Sequence, residues 1–297
     1  MSLAIPVLNR TSFTGFLQKV GFFRQRPVLP GFFLSFGFSV LFLSLIVLLP
    51  LSALIMYVSD MSLAQYWHAI SDRRVVSAYS VTLRAALYST LIATVVGFII
   101  AWIISRYEFA GRRLVDALVD LPFALPTSVA GLTLATLFVP GGWFGQWLAP
   151  LGITVAYQFT GIVVAMIFTS LPFVVRIVQP VMEELGSEYE EVAQTLGATP
   201  WQTFWKVIFP PLVPAVVTGS SQAFIRSLGE FGAVIMIAGN TPYKTEVASL
   251  MIFVRLQEFE YPAAAAIASV VLLASLILLF ALQWAQTRLL GWQRKAR

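Results

Sequence analysis

Long apolar runs separated by short polar breaks dominate the chain. Six are long enough to cross a bilayer as helices: residues 32–58, 78–105, 118–139, 159–182, 211–238 and 262–287. A hydrocarbon core of about 30 Å takes about 20 apolar residues in helical form. Helix is the only option for such runs, because lipid offers no partner to a free backbone amide or carbonyl. The third run is irregular. It opens Asp120-Leu-Pro122-Phe-Ala-Leu-Pro126, and two prolines in the first turns require a kink or a late helix start. Broken helices at membrane depth occur where they line a cavity or are buried in protein. A short helix reached through an interfacial Pro-rich loop fits equally well. The expected fold class is an all-α membrane protein of six transmembrane helices. Its parts are an N-terminal segment (1–30), a first transmembrane helix (31–60), a membrane domain (75–287) interrupted by a polar loop (183–210), and a tail (288–297).

The polar loop between the fourth and fifth runs carries the clearest local signals. Ser187 followed by Glu190 reads as a capping box, so a helix is expected to start there. Gly197 reads as its C-terminal cap. Thr199 then serves as N-cap with Pro200 at the first helical position. A second helix runs through Trp201, Phe204 and Trp205 until Pro210-Pro211 interrupts it. The expected product is a helix–bend–helix element. From physics alone it is either a structured interfacial loop, with Trp201 and Trp205 in the headgroup belt, or a docking element for a partner.

Composition agrees with a membrane location. Of 297 residues, 58% are apolar and 11% charged, against about 25% charged in a soluble domain. There are no cysteines and one histidine, His68, so disulfides, thiol nucleophiles and a histidine metal cluster are excluded. No carboxylate pair or Ser–His–Asp set accompanies the spans, so neither a catalytic nor a metal site is expected. The net charge of +5 does not point to nucleic acid, since no basic run alternates with aromatics. Location matters more than sum. The N-terminal tail, the 106–117 segment, the 183–210 segment with its edge and the C-terminal tail together hold thirteen of the nineteen Lys and Arg. By the positive-inside rule both termini and the 183–210 loop are expected in the cytoplasm. The basic start followed by a long apolar run reads as an uncleaved first span, and residues 1–26 as an amphipathic surface segment or a disordered one.

The pattern Glu191-x-Ala193, Gly197, nine residues, then Val207-Ile-Phe-Pro210 resembles the EAA motif of type I ABC importer permeases. The resemblance implies a loop seated in a groove of an ATPase subunit, with Glu191, Ala193, Leu196, Gly197, Ala198, Thr199 and Pro200 as the docking residues. The sequence departs from the motif at Val192, Val207 and Phe209, all apolar exchanges. No G-x-x-x-x-G-K-[ST] phosphate loop occurs, so the chain is expected to hold no cofactor and to leave ATP and Mg²⁺ to a separate ATPase. Force would pass through the loop and rock the spans between inward-open and outward-open states.

Charged residues inside spans are functional candidates by default. Arg226 lies sixteen residues past Pro210, about 24 Å at 1.5 Å per residue. Arg226 and Glu230 stand four apart and can neutralise one another on a helix. The pair is either a structural ion pair or gate latch, or a source of positive potential for an anion in transit, with Glu230 limiting how tightly it binds. Pro126 is the third candidate for the path or gate. Three stretches, Asp116–Thr127, Arg226–Ala233 with Ala238–Asn240, and Lys244–Glu258, are similar to the T-type permease subunits of bacterial sulfate/thiosulfate importers. That family implies an inner-membrane complex of two different permeases, two copies of an ATPase and a periplasmic sulfate-binding protein. Molybdate or another oxyanion is the alternative cargo, because the Arg226 stretch also resembles molybdate permeases. A motor-independent secondary transporter or channel is the alternative class.

Overall fold

The computed structural model describes residues 32–294; the N-terminal segment (1–30) and the last residues of the tail (295–297) lie outside them. The chain divides into two units, up to Leu54 and from Ile55 onward. The first unit holds helix α1 (Phe32–Leu43), one π-helical turn (Ser44–Leu48) and the start of α2 (Leu49–Ser59). Its side chains Leu41, Leu45 and Leu49 are more than half exposed, which suits a surface that lipid covers.

The second unit continues with α3 (Leu63–Ser71), α4 (Arg73–Arg106), α5 (Arg112–Val119), α6 (Leu121–Ala124), α7 (Thr127–Phe138) and α8 (Gly145–Leu148). After these come α9 (Phe159–Glu184), α10 (Glu188–Thr195), α11 (Pro200–Thr203), α12 (Phe209–Leu228), α13 (Gly232–Ile237), α14 (Ala248–Gln257) and α15 (Tyr261–Arg294). Five stretches are long and apolar enough to cross a bilayer: Leu34–Ser59, Arg73–Arg106, Phe159–Glu184, Pro200–Leu228 and Tyr261–Arg288. They coincide with five of the six predicted runs. The third run is shared among the end of α5, α6 and the 12-residue α7. Leu125 and Pro126 between them are extended, because proline excludes the residue before it from the helical region and offers no amide. The interruption expected at the two prolines is present, with a four-residue turn before it and a 12-residue helix after it.

Helix α9 is central: 61% of its most apolar window is buried, against 28% for α4 and 39% for the stretch ending in α12. Small residues allow this. Ala85, Ser89, Ala93, Gly97 and Ala101 recur every four positions along the buried face of α4, forming a shallow ridge of the kind that lets helices approach without lipid-phase driving force. Val174 of α9 fills the approach from both sides. A Cβ at Gly97 would come within 2.9 Å of Val174, and one at Gly219 of α12 within 3.1 Å. Hydroxyl pairs add lateral ties, Thr94 to Ser220 at 2.9 Å and Ser89 to Ser227 at 3.2 Å. Small residues also let α15 pack closely, with Ala264 and Ala266 buried.

Two features depart from the sequence expectation. The fifth span does not continue to 238: α12 ends at Leu228, the chain turns through Gly229–Phe231, and the short α13 follows. The second departure is α14, a ten-residue and mostly apolar helix between the fifth and sixth spans. The Thr82 hydroxyl accepts from the amide of Ala248 at 2.8 Å and so satisfies one N-terminal donor of α14. A helix this short is tolerated because protein covers it, with Ala248, Leu250 and Met251 buried.

Candidate coupling loop and translocation site

The loop between α9 and α12 is built by its caps, though not all of those expected. Helix α10 begins after Ser187 as predicted, but the capping box is absent. Ser187 is itself in the helical region and makes no cap to a backbone amide, whereas an N-cap needs extended backbone. Its hydroxyl goes instead to Glu191 at 3.2 Å. Glu190, the expected reciprocal partner, is drawn away to the guanidinium of Arg106 at 3.0 Å. The end of α10 follows expectation. Gly197 has φ +78°, its amide donates to Gln194 at 2.9 Å, and the Ala198 amide donates to Ala193 at 3.0 Å. This is the two-bond Schellman closure. Thr199 then caps α11 with Pro200 in the first turn, and Gln202 completes a reciprocal capping box.

Pro210 and Pro211 do not interrupt the second helix. A π-helical turn at Phe204–Ile208 joins α11 to α12, making one continuous stretch from Pro200 to Leu228. The prolines fall in the first turn of α12, directly after the π-helical turn, where the regular i→i−4 ladder is already interrupted. The second loop helix is therefore the loop-side extension of the fifth span.

Of the candidate docking residues, Glu191, Leu196, Gly197, Thr199 and Pro200 are exposed, Ala198 is half-buried and Ala193 is buried. Ala193 serves as an internal contact, and its small size lets α10 seat. Sequence reasoning named Leu196, Trp201 and Trp205 but did not join Tyr189 and Val192 to them. Tyr189, Val192 and Leu196 lie at i, i+3 and i+7, and Leu196 is 82% exposed. Trp201 and Trp205 extend that surface. Exposed apolar side chains grouped on a structured polar loop make it a candidate interaction surface. Two ties fix the loop to α4. Phe204 and Phe209 make edge contacts with Phe98, and Phe204 with Trp102 at 5.5 Å. Arg106, counted in the sequence only for its charge, donates to the Gly186 carbonyl at 2.9 Å and pairs with Glu190.

The second site lies where the fifth span breaks. Glu230 sits past the end of α12, not on it, since Gly229 is the C-cap. The expected ion pair forms nonetheless, with Arg226 Nη1 at 2.6 Å from Glu230 Oε2. Glu230 Oε1 accepts from the Ala233 amide at 3.0 Å and so opens α13. The carboxylate is 1% exposed and the arginine side chain 33%. Glu230 is thus a fixed buried anchor, and Arg226 is the member that reaches a surface. Pro126 stands at the N-cap of α7, and α7 packs on α13 at glycine distance. A Cβ on Gly131 would fall within the backbone of Ala233, and one on Gly232 against Thr127. The breaks at Pro126 and Glu230 therefore belong to one packed unit, formed by the broken third and fifth spans.

At the end of the bundle away from the loop, Arg74 Nε donates to the buried Glu246 at 2.8 Å, and Arg255 pairs with Glu260 at 2.8 Å and Asp72 at 3.3 Å. Arg74 and Arg255, two of the basic residues that lie outside the loop-side segments in the sequence, thus have local acidic partners.

Comparison with known proteins agrees with this geometry. The chain is 63% identical over 264 residues to the sulfate transport system permease protein CysT of Escherichia coli strain K12, covering 89% of this chain and 95% of that one. It is 47% identical over 241 residues to the protein of the same description from Synechocystis, covering 81% and 84%. Among solved structures, a bacterial ABC transporter involved in import of the polysaccharide alginate superimposes with a TM-score of 0.75 at 18% identity, covering 93% of this chain and 98% of that one. The MetNI methionine ABC transporter in an inward-facing conformation gives 0.55 at 18% identity, covering 77% and 99%. The family profile for binding-protein-dependent transport system inner membrane components matches residues 93–294. With its central helix, its capped loop between two spans and these relatives, the chain belongs to the family of binding-protein-dependent transport system inner membrane components, the permeases of type I ABC importers.

Proposed function

We propose that the chain is the transmembrane permease subunit of an ATP-driven importer carrying sulfate across a bacterial inner membrane. The observation that carries the substrate is the 63% identity to the Escherichia coli sulfate permease, over nearly the whole length of both chains. The 183–210 loop is read as the seat of a separate ATPase. Its exposed Leu196 and Trp201 beside the acidic first turn of α10, with Glu188 and Glu191 exposed, offer an apolar face bordered by negative charge, and the Schellman and Thr199 caps hold both helices in place. Nucleotide and Mg²⁺ then reside on the ATPase, present in two copies, with a second homologous permease alongside and a periplasmic sulfate-binding protein delivering the anion. Both termini lie in the cytoplasm on this reading, following thirteen of nineteen basic residues.

Within the membrane, Arg226 provides positive potential along the anion's route, and Glu230 holds its guanidinium in place while offsetting part of its charge. The Pro126 break lets the outer part of the third span move relative to the inner part. Uptake of labelled sulfate into proteoliposomes, with the complete set of subunits, tests the reading. Accumulation is expected with active ATPase and none with a hydrolytically dead one. Uptake that persists with the dead ATPase would support a motor-independent transporter instead, and preference for molybdate over sulfate would reassign the cargo.

A further inference from the structure

A cluster distinct from both sites joins the broken third span to the central helix. Arg176 of α9 uses all five of its N–H donors. Nε and Nη2 hold the two carboxylate oxygens of Asp120 at 2.7 and 2.6 Å. Nη1 donates to Asp116 Oδ1 at 2.6 Å and to Gln179 at 2.9 Å. Nη2 also reaches the backbone carbonyl of Asp116 at 2.8 Å, one of the terminal carbonyls of α5 that lack a helical partner. An arginine satisfied at every donor, with a two-point fork on one carboxylate, fixes both distance and orientation.

What Arg176 holds has little else to hold it. Across α5 and α6 only Val119 is buried, while Leu114, Leu118 and Phe123 are each more than half exposed. Apolar packing of these two helices on α9 is confined to Val115 and Val119, beside Val174, Val175 and Val178, and to Phe123 edge-on to Phe173. Asp120 is also the joint between them, being C-cap of α5 and N-cap of α6. Beyond α6 the chain is extended through Leu125 and Pro126. The cluster continues the other way as well, since Gln179 donates to Glu183 at 3.0 Å, the first residue of the polar loop. A polar chain therefore runs from the loop, along one face of α9, to the segment just before the hinge.

We infer that Arg176 is a positioning residue, a strut that makes α5 and α6 move with α9 as one body. Displacement of the 183–210 loop is then delivered to the Leu125–Pro126 hinge, where the outer α7 pivots. This rests on the loop being the seat of an ATPase, as proposed above. A strut differs from a releasing latch in that the contact persists through the cycle, so a covalent tie can replace it.

The test uses the complete reconstituted transporter. Coupling is read as sulfate carried per ATP and as stimulation of hydrolysis by the binding protein. The second reading does not depend on which anion is carried, so it tests the strut even if the sulfate assignment fails. In Arg176→Gln the complex is expected to assemble and hydrolyse ATP, with coupling reduced about tenfold, within the usual range of coupling between sites. The chain has no cysteine, and Phe123 and Phe173 meet edge-on with centroids 5.3 Å apart. Phe123→Cys with Phe173→Cys, bridged by a short thiol cross-linker, gives one tie across the same junction. In the Arg176→Gln background the tie is expected to restore coupling, and in the unsubstituted background to leave it intact. Unchanged coupling in Arg176→Gln, a tie that does not restore it, or a tie that blocks the unsubstituted transporter would each overturn the strut. Should Arg176→Gln fail to assemble, Asp120→Asn is read the same way, with the same expected and contrary results.

Discussion

The buried carboxylate of Glu230 decides how the break in the fifth span behaves. Removing its partner leaves a charge in a site where water cannot reach it, and breaking a buried pair costs more than deleting both members. Arg226 keeps a third of its side chain exposed, so the penalty for Arg226→Gln should be about 2 kcal/mol, below the fully buried range. The double substitution Arg226→Gln with Glu230→Gln should then be more stable than Arg226→Gln alone, as read by thermal unfolding in detergent. Equal or lower stability of the double variant would mean that the pair is not coupled. Close packing gives a second residue-scale expectation. Gly131 faces the backbone of Ala233, and Gly131→Val should destabilise by about 1–3 kcal/mol through overpacking. The sequence made Arg226 and Glu230 conspicuous because charges in apolar runs are rare. By that rule Arg176 qualified equally, but its place near the end of the fourth run led to its being counted for orientation only. Arg106 carried no such signal, since its partners lie some 80 positions downstream.

At the scale of elements, local punctuation was legible where the signal is local. Gly197 and Thr199 cap as their types require, because a left-handed glycine and an extended threonine depend only on neighbouring amides. Gly197→Ala should therefore cost about 1 kcal/mol for a β-carbon at positive φ, and weaken ATPase binding about fivefold if the loop must keep its shape to dock. Binding of purified ATPase to the permease pair in nanodiscs measures this, and unchanged affinity would separate the cap from docking. The failures came where a distant group outbid a local one. Glu190 left the Ser187 box for Arg106, and the π-helical turn let a helix run through a proline pair that reads as a stop. Helix α14 was invisible because ten mostly apolar residues are too few for a span, and its N-terminal partner, Thr82, lies 166 positions away.

At the scale of the whole molecule, bulk hydrophobicity gave the class, and the spacing of apolar runs gave five long helices nearly as found. The order of packing was not legible. That α9 is the central helix follows from a ridge of small residues on α4 and from Gly219 on α12, which meet only in three dimensions. The same arrangement defines the mechanical account: a loop clamped to α4 by Arg106 and aromatic contacts, continuous with α12, and connected through Arg176 to the broken third span. All of it presupposes that a separate ATPase grips the 183–210 loop. The most direct measurement is co-purification of the complex from native membranes, with Glu191→Lys set beside the unsubstituted chain and the folding of the permease checked by its thermal unfolding. The account predicts that the ATPase is retained by the unsubstituted chain and lost from the variant while the permease stays folded. Full-strength ATPase binding by a folded Glu191→Lys permease would contradict it.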